Sequence, residues 1–212
     1  MKFTILFTIV LFCSSVLIAQ EDKKGYSSSE IQTILNQNAT SNGFYGAFHL
    51  GYSEIAGRDA INMGIRGGWI ANHKFVLGFA GTGFYSDKRS TVINGLANYI
   101  AGGYGGLLFE PILMPMNQVH VSFPMIIGAG GVTILEGYNN MHDWDIYPPT
   151  EIGSAPFFVF EPGAELEFNI AKFFRFGLGV SYRITSDIDL LGLSSDALRG
   201  LNGHIIFKFG KF

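Results

Sequence analysis

Residues 172–185 read KFFRFGLGVSYRIT. Counted by twos, Phe174, Phe176, Leu178, Val180 and Tyr182 fall on one side, and Arg175, Gly177, Gly179, Ser181 and Arg183 on the other. Successive side chains of a β-strand point to opposite faces, so from Phe174 to Tyr182 this stretch as a strand has one apolar face, and both its arginines lie on the other. The question that decides the fold is which of the two faces meets the surroundings. A charged face with two arginines among glycines is too sparse to solubilise an exterior. The apolar face is continuous enough to meet hydrocarbon.

The same separation recurs along the chain. Phe44, Gly46, Phe48, Leu50 and Tyr52 oppose Tyr45, Ala47, His49, Gly51 and Ser53. Ile61, Met63, Ile65 and Trp69 oppose Asn62, Gly64, Arg66 and Gly68, and Phe158, Phe160, Ala164, Leu166 and Phe168 oppose Glu161, Gly163, Glu165 and Glu167. At the end of the chain Ile205, Phe207 and Phe209 oppose His204, Ile206 and Lys208. Eight such segments can be drawn, at about 43–54, 59–72, 74–86, 97–112, 119–135, 156–170, 172–185 and 201–211. A tilted strand needs roughly 9–11 residues to cross a bilayer, which each segment supplies.

The breaks between segments are sorted by side. Asn72-His73, Pro115-Met116-Asn117-Gln118 and Ile170-Ala171-Lys172 are tight, whereas 87–96, 136–155 and 186–200 are longer; the first outer break, Ala56-Gly57-Arg58-Asp59, is short but polar. Short turns on one side and long loops on the other are the pattern of a transmembrane β-barrel with both ends of the chain on the short-turn side. A soluble sandwich has no reason to sort its connections in this way. The reading is therefore an all-β, closed antiparallel transmembrane β-barrel over residues 43–212.

Composition agrees. Charged residues are 15% of the 212 positions, against roughly 25% in an average soluble protein, while 20 phenylalanines and 28 glycines accompany a mean hydropathy of +0.27. That is more apolar surface than so few charges can cover in water. A formal net charge of −3 gives no basic footprint for nucleic acid. Residues 1–19, with Lys2 followed by an apolar run and ending at Ala19, read as a cleaved secretory signal peptide, and 20–42 as a polar, poorly patterned, flexible N-terminal arm. The single cysteine, Cys13, lies in the leader, so the mature chain is expected to have no disulfide. Asn38-Ala39-Thr40 matches a glycosylation sequon, which is expected to be incidental.

If the charged faces line the lumen, Arg66, Glu110, Glu161, Glu165, Glu167, Arg175, Arg183 and Lys208 are brought inside, where eight strands leave just enough room for side chains. Buried charges must be paired. Four acids against four bases predict an internal ion-pair and hydrogen-bond network that plugs the barrel and fixes register. Placing Glu110 inside forces Tyr104 inside too.

Other chemistry is thin. His120-x-Ser122 is the spacing of a Ser–His pair used by outer-leaflet lipid A deacylases, but the strand reading sets both side chains inward at the short-turn end. Gly128-Ala129-Gly130-Gly131 precedes no helix pattern and offers no phosphate cradle. In the 136–155 loop, Asp143, Trp144, Asp145 and Tyr147 mix carboxylates with aromatics and are the candidate recognition residues, with ligand unknown. No metal or cofactor is expected.

With its leader, eight alternating segments, side-sorted loops and aromatic end Phe207-Lys208-Phe209-Gly210-Lys211-Phe212, the chain resembles the small outer-membrane β-barrel family typified by OmpA and OmpX. Phe212 departs in phase, since it does not share a face with Phe207 and Phe209. The resemblance implies an outer-membrane location, outer-membrane lipid around the wall, and the barrel-assembly machinery as a partner during biogenesis. The role expected is non-enzymatic, structural or surface-interacting. The rivals are an outer-leaflet lipid-modifying enzyme, a narrow pore, and a soluble lipocalin-like barrel.

Overall fold

The computed structural model describes residues 42–86, 89–90, 96–138 and 149–212. Residues 1–41, which hold Cys13, the sequon, the expected leader and all of the expected arm but Asn42, and the candidate loop residues Asp143, Trp144, Asp145 and Tyr147 lie outside the described residues. The strands are β1 (Asn42–Ile55), β2 (Arg58–Ala71), β3 (Phe75–Ser86), β4 (Arg89–Ser90), β5 (Leu96–Leu113), β6 (Val119–Ser122), β7 (Met125–Tyr138), β8 (Thr150–Ala171), β9 (Phe174–Thr185) and β10 (Gly200–Lys211).

All pair antiparallel in one 10-stranded sheet. The short β4 pairs only with β5 and prolongs the β3–β5 hairpin, while β6 and β7 each pair with β5 and β8 and are two halves of one wall strand. The wall thus has eight strands. It closes because β3 also pairs with β5 and the first strand meets the last, from Phe44↔Lys211 to Ser53↔Asn202. Closure leaves no sheet edge, which is what a strand structure in hydrocarbon requires.

The expected segment 119–135 is interrupted at Phe123-Pro124 because proline has no N–H to give the ladder. The register nevertheless continues, with Phe123 N–H donating to Pro111 O at 2.9 Å and Gly163 N–H to Pro124 O at 2.7 Å. Two connections are tighter than expected. Ala56-Gly57 alone joins β1 to β2, and Lys172-Phe173 alone joins β8 to β9. Ala56, Gly57, Asn72 and His73 all have positive φ, the backbone a two-residue hairpin turn demands. The expected 156–170 segment starts six residues earlier, at Thr150, so the wall stands taller beside that loop.

Alternation runs as the sequence implies. Phe44, Ile65, Phe79, Phe158 and Val180 are exposed on the outside, and His49, Arg66, Tyr104, Glu165 and Lys208 are buried within. The inward glycines have a pattern of their own. Gly64 lies opposite His49, Gly130 opposite Tyr104, Gly179 opposite His204 and Gly177 opposite Ile206. Each of these four side chains leans over its cross-strand glycine; a Cβ on Gly130 would sit 2.6 Å from Tyr104 Cβ and closer still to Gly103 O. Overpacking of this kind costs about 1–3 kcal/mol. Gly130→Ala is therefore expected to lower unfolding stability by that amount in denaturant titration of the refolded barrel. Gly46→Ala, on the outer face with nothing within 4 Å of the added carbon, should stay within about 0.5 kcal/mol.

Candidate functional site

The lumen is the site that the fold builds. Glu110 enters from β5, Glu165 and Glu167 from β8, and each is buried because its strand phase turns it inward. Their carboxylate oxygens lie within 4.8 Å of one another. Three like charges so close need a cation, and Lys208 of β10 provides it. Its Nζ donates to Glu110, reaches Glu167 Oε1 at 2.8 Å and lies 3.0 Å from Glu165 Oε2. The ammonium sits where a metal ion would otherwise bridge the triad.

Around this hub stand the remaining donors, among them Ser122 Oγ, which reaches Glu165 Oε2 at 3.4 Å as well as Glu167. Arg66 donates to Glu165, whose Oε1 also lies 2.8 Å from His204 Nε2. Ser122 Oγ donates to Glu167, His120 Nε2 lies 3.1 Å from Glu167 Oε2, and Arg175 Nη1 approaches the same oxygen at 3.7 Å. Tyr45 donates to Glu110 at 2.5 Å. In formal charge, Glu110, Glu165 and Glu167 balance Arg66, Arg175 and Lys208.

A second network lies nearer the loop end. Glu161 accepts from Tyr104, from Ser181 Oγ at 2.5 Å and from Asn202 Nδ2 at 2.7 Å, and Asn62 Nδ2 continues the chain to Asn202 Oδ1 at 3.2 Å and Ser53 Oγ at 3.0 Å. Between the two networks is a polar cavity of about 10 Å³ edged by His49, Arg66, Thr82 and Glu161, room for about one water.

Arg183, expected in the internal ion-pair and hydrogen-bond network, is buried in the lumen but forms no ion pair with Glu161. The pairs Val159↔Thr185 and Gly163↔Ser181 set it directly across from Glu161. Its guanidinium turns away instead: Nε donates to Leu198 O at 2.6 Å and the group lies over the rings of Phe84 and Tyr104, 5.3 and 5.8 Å from their centroids. Both Nη atoms are buried without a hydrogen-bond partner. Glu161 is held by three neutral donors, and the arginine is held by the carbonyl of Leu198 on the incoming loop.

Both ends of the lumen are closed. At the loop end Ile55, Phe84, Ile100, Phe157, Ile188 and Leu198 form one buried apolar cluster. The segment between β9 and β10 folds onto it: Ala56 N–H donates to Ala197 O at 2.9 Å, and Leu193 N–H donates to Leu190 O at 3.1 Å to close a turn. At the short-turn end Phe212 stacks on Tyr45 with centroids 6.2 Å apart and lies 3.9 Å beneath the Arg175 guanidinium. This accounts for its departure in phase: after β10 the last residue turns into the mouth.

Sequence reasoning missed Lys208 as the hub and overlooked His120, Ser122, Ser181, Asn202 and Tyr45 as members. Their strand parity was the available signal, since each shares the inward face of a charged residue. His120 and Ser122 are each engaged by Glu167 in the lumen, away from the lipid-facing wall.

No family model matches the sequence, and no curated protein matches it. Among solved structures the chain is similar to the neisserial surface protein A (NspA), with 9% identity over 82% of this chain and 100% of that one, at a TM-score of 0.50. It is also similar to the N-terminal β-barrel domain of OprF from Pseudomonas aeruginosa, at 10% identity over 81% and 99% of the two chains with a TM-score of 0.45. The attachment invasion locus protein Ail of Yersinia pestis, solved with the heparin analogue sucrose octasulfate, shares 15% identity over 81% and 97% with a TM-score of 0.40. The chain has the fold of the small eight-stranded outer-membrane β-barrels.

Proposed function

We propose that this protein is a non-enzymatic integral barrel of the bacterial outer membrane, sealed along its axis, with a structural or surface-interaction role exerted through its loop end. One observation carries the reading: the closed wall turns Phe, Leu, Ile and Val outward all round, and its interior holds every charged side chain of the wall's middle. Water around such a wall would have to hydrate an uninterrupted apolar belt, whereas hydrocarbon removes that penalty. An open groove of about 450 Å³ on the outside, lined mainly by Val121, Ala164, Leu166, Leu178 and Val180 with Glu165 and His204 beneath, belongs to the same apolar belt. The protein should leave the envelope only with detergent and migrate differently on a gel when boiled. Recovery in the soluble periplasmic fraction would overturn the reading.

The narrow-pore alternative is disfavoured by the two closures. Purified protein in planar bilayers is expected to give no stepwise conductance; steps that persist in wild-type protein and grow in Phe212→Ala would show an axial path. The enzyme alternative is disfavoured because Glu167 engages both His120 and Ser122 in the interior. The lipid A acyl pattern of a deletion strain should match that of the parent.

A further inference from the structure

Among the described residues the two rims of the barrel differ in charge. At the loop end Glu54, Asp59, Glu151, Asp187, Asp189 and Asp196 are exposed, and Arg58, Arg199 and Arg89 of β4 are the bases of the described part of that rim. At the short-turn end the exposed charges among the described residues are Lys74, Lys172 and Lys211, and no exposed acid accompanies them. Gly210 N–H donates to Phe173 O at 3.0 Å, so the β8–β9 turn that carries Lys172 lies against the end of β10, where Lys211 follows. Like charges brought near one another repel. No carboxylate forms an ion pair with either lysine, or with Lys74, among the described residues.

Immediately on the hydrocarbon side of these lysines is a collar of exposed phenylalanines: Phe44, Phe173 and Phe209, with Trp69 paired to Phe44 and its indole donating to Asn42 Oδ1 at 3.2 Å. Aromatic rings settle at the headgroup level of a bilayer, and a lysine above them snorkels its ammonium into the phosphates. We infer that Lys74, Lys172 and Lys211 form a binding rim for anionic phospholipid headgroups of the inner leaflet, with one phosphate bridging Lys172 and Lys211. The inference rests on the outer-membrane reading above and adds a lipid class and a leaflet to it. A soluble phosphate has the same charge but no acyl chains to lie along the phenylalanine collar.

Trp69 stands at this rim and reports on it. The test uses the full mature chain with Trp144→Phe, reconstituted in vesicles of phosphatidylcholine with brominated phosphatidylglycerol, or the reverse labelling. Relative quenching of Trp69 gives the preference for the anionic lipid. Each basic residue near a charged surface contributes about a fivefold preference, so the anionic lipid should be favoured at least severalfold. The preference should fall toward unity in Lys74→Gln/Lys172→Gln/Lys211→Gln and in high salt, and added inorganic phosphate at matched ionic strength should not compete. Equal quenching by the two lipids in wild-type protein, an unchanged preference in the triple variant, or competition by free phosphate would overturn the rim. Quenching by brominated phosphatidylcholine alone checks the membrane reading separately: if that is absent the barrel is not in the bilayer, and if it is present without anionic preference only the rim fails.

Discussion

Lys208→Met is expected to lower the unfolding free energy of the barrel by roughly 3–5 kcal/mol, the loss seen when one partner of a buried ion cluster is removed. The side chain is almost fully buried and its ammonium touches three carboxylates at once. Without it, Glu110, Glu165 and Glu167 keep only Arg66 and Arg175 as formal counter-charges, and Glu110 keeps only the hydroxyl of Tyr45. The double variant Lys208→Met/Glu110→Gln should regain much of the loss, because it removes the carboxylate left without a cation. Guanidinium-induced unfolding of the two single variants and the double variant in lipid vesicles measures the coupling. Additive losses would mean that the lysine does not act as the hub of the triad.

The second large effect concerns the outside. Ile65→Arg places a charge at the centre of β2, at a position 70% exposed and paired with Phe48 and Gly81. An arginine on the lipid face near mid-bilayer costs about 2–4 kcal/mol, falling to about 0–1 near the interfaces. Leu201→Arg, equally outward but second in β10 at the loop end, should therefore be close to neutral under the same unfolding assay. The contrast between the two positions separates depth in hydrocarbon from mere exposure, since both side chains are open to the surroundings. Equal, small effects at both sites would indicate water around the wall.

Most of the wall was legible because its information is local. Parity along a strand assigns faces residue by residue, and in β9 the arginines and phenylalanines disagree so completely that no tertiary knowledge is needed. Tyr104 shows the method working through a single anchor: once Glu110 is inside, a position six residues earlier follows. The site was less legible because it depends on register between strands far apart in sequence. Nothing in residues 201–211 says that Lys208 meets glutamates from β5 and β8, and nothing near Arg183 says that Leu198 will take the donor that Glu161 does not need. The break at Pro124 was readable as a missing N–H, but the preserved register across it was not. That glycines lie opposite His49, Tyr104, His204 and Ile206 emerges only from the pairing.

Hydrocarbon around the wall is the claim on which everything else stands. Single nitroxide labels at Ile65→Cys, Phe158→Cys and Leu178→Cys, each in a Cys13→Ser background and reconstituted in lipid vesicles, test it by collision with dissolved oxygen and with a water-soluble nickel complex. The account predicts frequent collisions with oxygen and few with nickel at all three sites, because all three side chains point outward into lipid. Nickel collisions as frequent as those of a label in free solution would contradict it.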